Sequence, residues 1–590
     1  MNNWDLDKLY PSFESKKFKD DLEKMDEVIK KLNGFKGQFK QDGSNLESYL
    51  KTLREYFVLN ITLEEFCFLS KATDATNKGA IKYLNTLSNK SSEITEIMTM
   101  ADKWITGLDI EKLIEENEFY KEHEFLLREI KKKDCYTLDE KTELLLSKLD
   151  QTGASAWSDL HGLLTSTLDV EVELNGEKKV ITLPEVRNLA HDKDKKVRKT
   201  AFEAEIKSYE NIKETIAYSL NAIKGQVNTI NDARGYDSPI SKTLVDSRMS
   251  KKTLDALLNG IKEYLPYFRK YLRRKAKMLG HTGGLPFYDL FAPIGSADKV
   301  FTIKEAQDYV LKNFGLFSPK LKTLAERAFD ENWIDYSPKK GKAGGAFCCN
   351  IQPIKQSRIM HNFTGSFSGV LTLAHELGHA YHGDCIFDQS ILNADYTMPV
   401  AETASIMCET IVMKNALLDA VNEEKIFLLE SSLQDVTQVT VDILSRYIFE
   451  EKVFNERKDN ILSSDQLKEI MLDAQKQTYG DGLDEDSLHP YMWINKGHYY
   501  IPDLSFYNFP YAFGALFGRG LYSQYLLNKE SFLPKYDNLL RETGKKTVED
   551  VAKLADIDVT DIKFWRSSLD QVKEDIELFL ELTENYKKEN

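Results

Sequence analysis

Residues 372–383 read TLAHELGHAYHG, with His375 and His379 four apart and Glu376 directly after the first histidine. On a helix, positions i and i+4 share a face, so two imidazoles there can hold one tetrahedral zinc ion through their ring nitrogens. Glu376 can reach a water on that metal without ligating it, take its proton and pass it to a leaving amine. With ten histidines in 590 residues, a chance His-Glu-x-x-His is expected on the order of once in a hundred such chains. Leu371, Leu373, Ala374 and Leu377 make the segment apolar enough for a buried helix. A hydrolytic zinc also needs a third protein ligand and one open position. Residues 399–418, PVAETASIMCETIVMKNALL, read as a second helix with Pro399 in its first turn. Glu402 and Glu409 lie seven apart on one face of it. Glu402 is a candidate third ligand, and Glu409 a candidate acceptor for the free N–H of a ligand histidine. His382, on the same face as His375 and His379, competes for the third place, and residue types alone leave that choice open.

A second group lies near the C-terminus, in residues 492–514, MWINKGHYYIPDLSFYNFPYAFG. Amide hydrolysis builds negative charge on a tetrahedral intermediate, and donors aimed at that oxygen lower the barrier. His498 with Tyr507, Tyr511 or Tyr500 could be such donors, although each tyrosine suits an aromatic core equally well, and His489 reads as structural. A third feature is residues 341–351, GKAGGAFCCNI, where Gly344 and Gly345 precede a short apolar strand and allow another backbone to come close.

The run HELGHAYH, followed 23 residues after His379 by the glutamate of VAETAS, resembles the oligoendopeptidase F group of thimet-oligopeptidase-like zinc metallopeptidases. Their pattern is His-Glu-x-Gly-His-x-x-His with a downstream glutamate ligand. The resemblance implies His375, His379 and Glu402 as ligands of one zinc ion (Zn2+) per chain and Glu376 as the base. It implies that His498 and Tyr507, with Tyr511, stabilise the oxyanion, and that Gly378 lets a neighbouring helix pack close; Tyr500 fits the family spacing less well. Substrate would lie as an extended strand at Gly344 and Gly345, where main-chain pairing tolerates many sequences. The implied fold is mainly α, a two-lobed helical metallopeptidase with a deep substrate channel and a small β-sheet near the histidine helix. The implied activity is endoproteolysis of short unstructured peptides. Two alternatives stand beside it: a helical zinc carboxypeptidase, and a catalytically silent peptide-binding protein.

The elements that must position these groups are also legible. LEKMDEVIKKLNGF and KTELLLSKLD carry apolar residues at three- and four-residue spacing, so residues 20–148 are expected to be helical. Residues 169–184, DVEVELNGEKKVITLP, alternate with period two around Asn175-Gly176, a hairpin signal. Turn signals between about 280 and 353 suggest a small sheet, and helical periodicity returns after 365. We expect a helical N-terminal lobe over 1–200 that includes the hairpin, and a catalytic domain over 201–590. The net charge of −15, from 79 basic and 94 acidic residues, disfavours a nucleic-acid partner. No stretch of ~18 apolar residues and no secretory leader is visible, so no membrane partner is expected. Six scattered cysteines without a CxxC pair suit a reducing, cytoplasmic setting. No feature of the sequence sets an oligomeric state.

Overall fold

A computed structural model describes residues 3–174, 176–295 and 299–584. It is mostly helical, 70% helix and 5% strand, with small sheets. No helix among the described residues is long and apolar enough to cross a membrane. The chain forms two compact units that interleave in sequence: Met1–Cys135, Asp298–Asn415 and Gln524–Asp556 in the first, Tyr136–Ala297, Ala416–Ser523 and Ile557–Asn590 in the second. This differs from a single boundary near residue 200. Local periodicity reports where helices are, and says nothing of which distant segments share a core.

In the first unit, the helices Lys16–Asn33 and Leu46–Thr73 bury Phe18, Met25, Leu50, Leu63 and their neighbours in one apolar core. Ser15 caps the first of them by accepting from the Phe18 N–H. Ile351 belongs to the same core, which ties this helical layer to the unit's sheet. That sheet has three strands, β3 (Ile334–Asp335), β4 (Phe347–Ile351) and β5 (Gln356–Met360), in the order β3-β5-β4. β4 runs antiparallel to β5, from Phe347↔Met360 to Ile351↔Gln356, and forms an edge. The loop before β4 is anchored by Lys342, whose ammonium group donates to the Asp335 carboxylate at 2.5 Å and to the carbonyls of Asp335, Ser337 and His361. The sheet therefore starts and ends later than the expected 280–353.

In the second unit, β1 (Asp169–Leu174) and β2 (Glu177–Thr182) form the expected antiparallel hairpin. Asn175 of its expected turn lies outside the described residues, while Gly176 adopts φ +82°, the left-handed region glycine enters at least cost. The helix Lys195–Tyr209 packs on β1. The long helix Lys251–Met278 packs against Ile562–Leu582, with Gly260 facing Trp565. Buried ion pairs Lys224–Glu450 (2.7 Å) and Lys275–Glu430 (2.5 Å) fix segments far apart in sequence.

Candidate metal centre and associated residues

His375, Glu376 and His379 lie on the helix Phe367–Ile386, which Ser366 caps by accepting from the Gly369 N–H at 3.1 Å. Val370, Leu373, Ala374, Leu377 and Ala380 are buried on it, so the apolar segment forms a core helix as its composition requires. Gly378 faces the helix Thr403–Asp419. A Cβ there would stand 2.6 Å from the Ala404 carbonyl oxygen and the Ser405 Cα, inside any real contact distance. Only glycine permits this approach, and the approach brings Glu402 and Glu409 to the histidines.

His375 Nε2 and His379 Nε2 are 3.1 Å apart, and each lies 3.3 Å from Glu402 Oε2. Ligand atoms 2.0–2.1 Å from one tetrahedral centre stand roughly 3.3 Å apart. The three atoms thus have the spacing of three corners around a zinc-sized ion, and two imidazoles with one carboxylate are a donor set that such an ion accepts. His375 Nδ1–H donates to Glu409 Oε1 at 2.7 Å, which leaves Nε2 its lone pair for a metal. Burial would lower the His375 pKa, but hydrogen bonds to Glu402 and Glu409 raise it well above the usual value. Glu402 shows the reverse balance: burial pushes it up, and the two histidines hold it far below the carboxylate range.

Glu376 is 5% exposed, and burial raises its pKa against the pull of His375 and His379. His382 does not join the cluster. It is fully buried, its Nε2 is 2.9 Å from Thr543 Oγ1, and its ring stacks on Tyr396 at 4.2 Å. Two residues at this centre escaped the sequence reading. Ser405 donates to Glu402 Oε2 at 2.6 Å, and Asn350 donates through Nδ2 to the His379 carbonyl at 3.0 Å. Ser405 stands three residues after Glu402 on one helical turn, a spacing that could have flagged it; Asn350 comes from β4 and left no such signal.

His498, Tyr507 and Tyr511 form one aromatic group within the second unit. His498 meets the Tyr507 ring edge-on at 4.9 Å, and the two tyrosine rings are 5.3 Å apart. Burial, with Arg446 and Lys496, lowers the His498 pKa and favours its neutral form. Tyr507 follows Phe506, which sits at φ +54°, an outlier for a bulky residue. Glu450 pins that turn, accepting from the Phe506 N–H at 3.1 Å and from Asn508 Nδ2 at 2.8 Å. Tyr500 is separate from this group: its hydroxyl donates to the Trp493 carbonyl and its ring stacks on His161. Gly344 and Gly345 lie before β4 with open space at each Cβ position, and Asn362 Nδ2 holds the carbonyls of Ala343 and Gly345.

A mostly helical body with two histidines and a glutamate converging at metal-binding distance is the build of a helical metallopeptidase. The chain belongs to peptidase family M3: the model of Peptidase family M3 matches residues 188–570, and that of Oligopeptidase F matches residues 105–169. It is therefore a metallopeptidase that hydrolyses peptide bonds, of the oligoendopeptidase F group. The chain is 24% identical over 596 residues to Oligopeptidase PepF of Bacillus subtilis (strain 168), covering 97% of this chain and 87% of that protein. Its fold matches a peptidase structure from Chlamydophila abortus at TM-score 0.86, with 20% identity and 98% of both chains covered. It matches oligoendopeptidase-F from Enterococcus faecium at TM-score 0.73, with 18% identity and coverage of 97% of this chain and 99% of that one.

Proposed function

We propose that this chain is a zinc endopeptidase that cleaves internal bonds of short unstructured oligopeptides. The observation that carries this reading is the triangle of His375 Nε2, His379 Nε2 and Glu402 Oε2 at 3.1–3.3 Å, with Glu376 next in sequence to the first ligand. A zinc ion held by those residues supplies a Lewis acid that polarises the scissile carbonyl and acidifies water. Glu409 and Ser405 orient the ligands. Glu376 takes the proton of the attacking water and hands it to the departing amine, a task its burial-raised pKa suits. His498 and Tyr507, with Tyr511, donate to the oxyanion, and a neutral His498 is a donor that carries no charge of its own. Gly344 and Gly345 leave room for an extended substrate backbone beside the edge strand β4.

The test is mass spectrometry of unstructured peptides of five to about thirty residues, with the zinc-loaded chain and with Glu376→Gln. Internal fragments are expected, with a loss of about 10²- to 10⁴-fold in the variant while zinc stays bound. Successive single-residue losses from the C-terminal end would instead mark a carboxypeptidase. Peptide bound and left intact by both proteins would mark a silent binding protein.

A further inference from the structure

The second unit contains a cavity of about 550 Å³ that the chemistry above does not use. Leu183, Phe202, Phe287 and Phe291 give it an apolar wall. Its charged groups pair off almost completely. Arg187 Nε lies 3.4 Å from Glu205, and Arg198 lies 2.7 Å from Asp289 while donating to the carbonyls of Asp192 and Lys193. Asp442 pairs with Arg446.

Lys496 is the exception. It lines the cavity, and its ammonium group has no hydrogen bond or ion pair among the described residues. The amide nitrogen of Gln438, on the same lining, is buried and also without a hydrogen bond. Gln438 opens the π-helical turn Gln438–Asp442, a distortion found often at functional sites. A half-buried cation with no direct ion pair, and with Asp442 and Glu205 acting on it only at longer range, is incompletely compensated. Desolvation, reinforced by Arg446 and Arg187 and only partly opposed by Asp442 and Glu205, pulls the Lys496 pKa down to about 7. An anion entering the cavity would supply the direct pair that Lys496 lacks, and the apolar wall would take a hydrocarbon or aromatic group attached to it. The volume falls within the range of small-ligand pockets.

We propose that this cavity is a carboxylate subsite for peptides, in which Lys496 pairs with the C-terminal α-carboxylate and the apolar wall takes the last side chain. The identity of the ligand rests on the peptidase reading; the unpaired cation does not.

The test uses one peptide ending in phenylalanine, prepared as the free acid and as the C-terminal amide, with the full zinc-loaded chain and with Lys496→Met. The wild type should favour the acid by about tenfold or more in kcat/KM, the range of one charge-assisted hydrogen bond. In Lys496→Met the ratio of acid to amide should fall to about one. Because the ratio is read within each protein, a general loss of activity does not affect it. Equal values for both peptides in the wild type, or a ratio that survives in Lys496→Met, would overturn the proposal. A third peptide, amidated and ending in glutamate, separates the two sources of a carboxylate: it should stay at the amide's level, and recovery to the free acid's level would overturn the α-carboxylate assignment. If neither peptide is cut, the peptidase reading fails on its own. Calorimetric binding of the same pair to the metal-free chain then reads the acid preference directly, with the same outcomes.

Discussion

The metal-binding group and the His498 group are built in opposite ways. In the first, His375, Glu376 and His379 come from a single helix, one neighbouring helix adds Ser405 and Glu409, and Glu402 stands at the turn that opens that helix. Its geometry follows from helical periodicity and from a glycine that removes the spacing a side chain would impose. In the second, a 3₁₀ turn carries His498, and Tyr507 follows a left-handed phenylalanine held by a buried carboxylate whose own partner, Lys224, is more than two hundred residues away. A group built by local periodicity should fail when one helix contact is disturbed, whereas a group built by distant tethers should fail by degrees.

The largest effect is expected at that contact. In Gly378→Ala, the added methyl meets backbone atoms at 2.6 Å, and backbone cannot swing aside as a side chain can. Overpacking of this kind costs about 3 kcal/mol, and here it also separates Glu402 from the histidines. Zinc retention measured by atomic absorption should be lost, with a fall in kcat of more than about 10³-fold. Retained zinc with near-normal kcat would show that the glycine contact is not what sets the ligand spacing.

The second effect sharpens the contrast. Tyr507→Phe keeps the ring and removes only the hydroxyl, so zinc content should be unchanged while kcat falls by about 10²- to 10³-fold, the size of one lost oxyanion donor. A change confined to KM would instead assign Tyr507 to substrate binding. A smaller loss is expected from Glu409→Gln, which keeps the shape and weakens the acceptor for His375 Nδ1–H. Zinc affinity by competition with a chelator should drop about 10- to 100-fold, with kcat near normal at saturating zinc.

This contrast also explains what could be read from the sequence. His375 and His379 were accessible because a spacing of four translates directly into a helix face. Glu402 and Glu409 were accessible although the expected single helix over 399–418 is interrupted at Glu402, whose carbonyl accepts from the Ile406 N–H at 3.0 Å and so starts the helix that carries Glu409. The hairpin at 169–184 was accessible through periodicity as well, with a period of two. Residue types could not separate Glu402 from His382. That choice depends on which way each side chain turns, and His382 turns to Thr543 and Tyr396, both contributed by other segments. Asn350 and Glu450 were invisible because their partners are set by tertiary pairing. The interleaving of the two units was hidden as well, since no local pattern records which of three separated segments share a core. The apparently featureless Lys496 belongs to this class: in sequence it is one of many lysines, and only the pairing of every neighbouring charge singles it out.

The smallest effect concerns stability, and it tests the claim that His382 is a core residue of the first unit. Burial, with a contribution from His379, pushes its pKa down to about 3, against 6.5 for an exposed histidine. Above pH 6.5 the side chain is neutral both folded and unfolded, so its contribution does not vary there. Between pH 6.5 and about 3 the unfolded chain binds a proton that the folded chain refuses, and stability falls as pH falls, by about 1.4 kcal/mol per unit for this one group. His382→Gln removes that proton from the balance. In the metal-free chain, hydrogen exchange of the amides in the Phe367–Ile386 helix, measured at pH 7 and pH 5.5, should show opening free energies that drop further in the wild type, by about 1.4 kcal/mol over this interval. The variant lowers the stability at both pH values through lost packing, so the comparison rests on the change between them. Equal changes in the two proteins would mean that His382 takes up its proton in the folded state, and a histidine charged there would have to face a carboxylate such as Glu402 instead of the Thr543 hydroxyl.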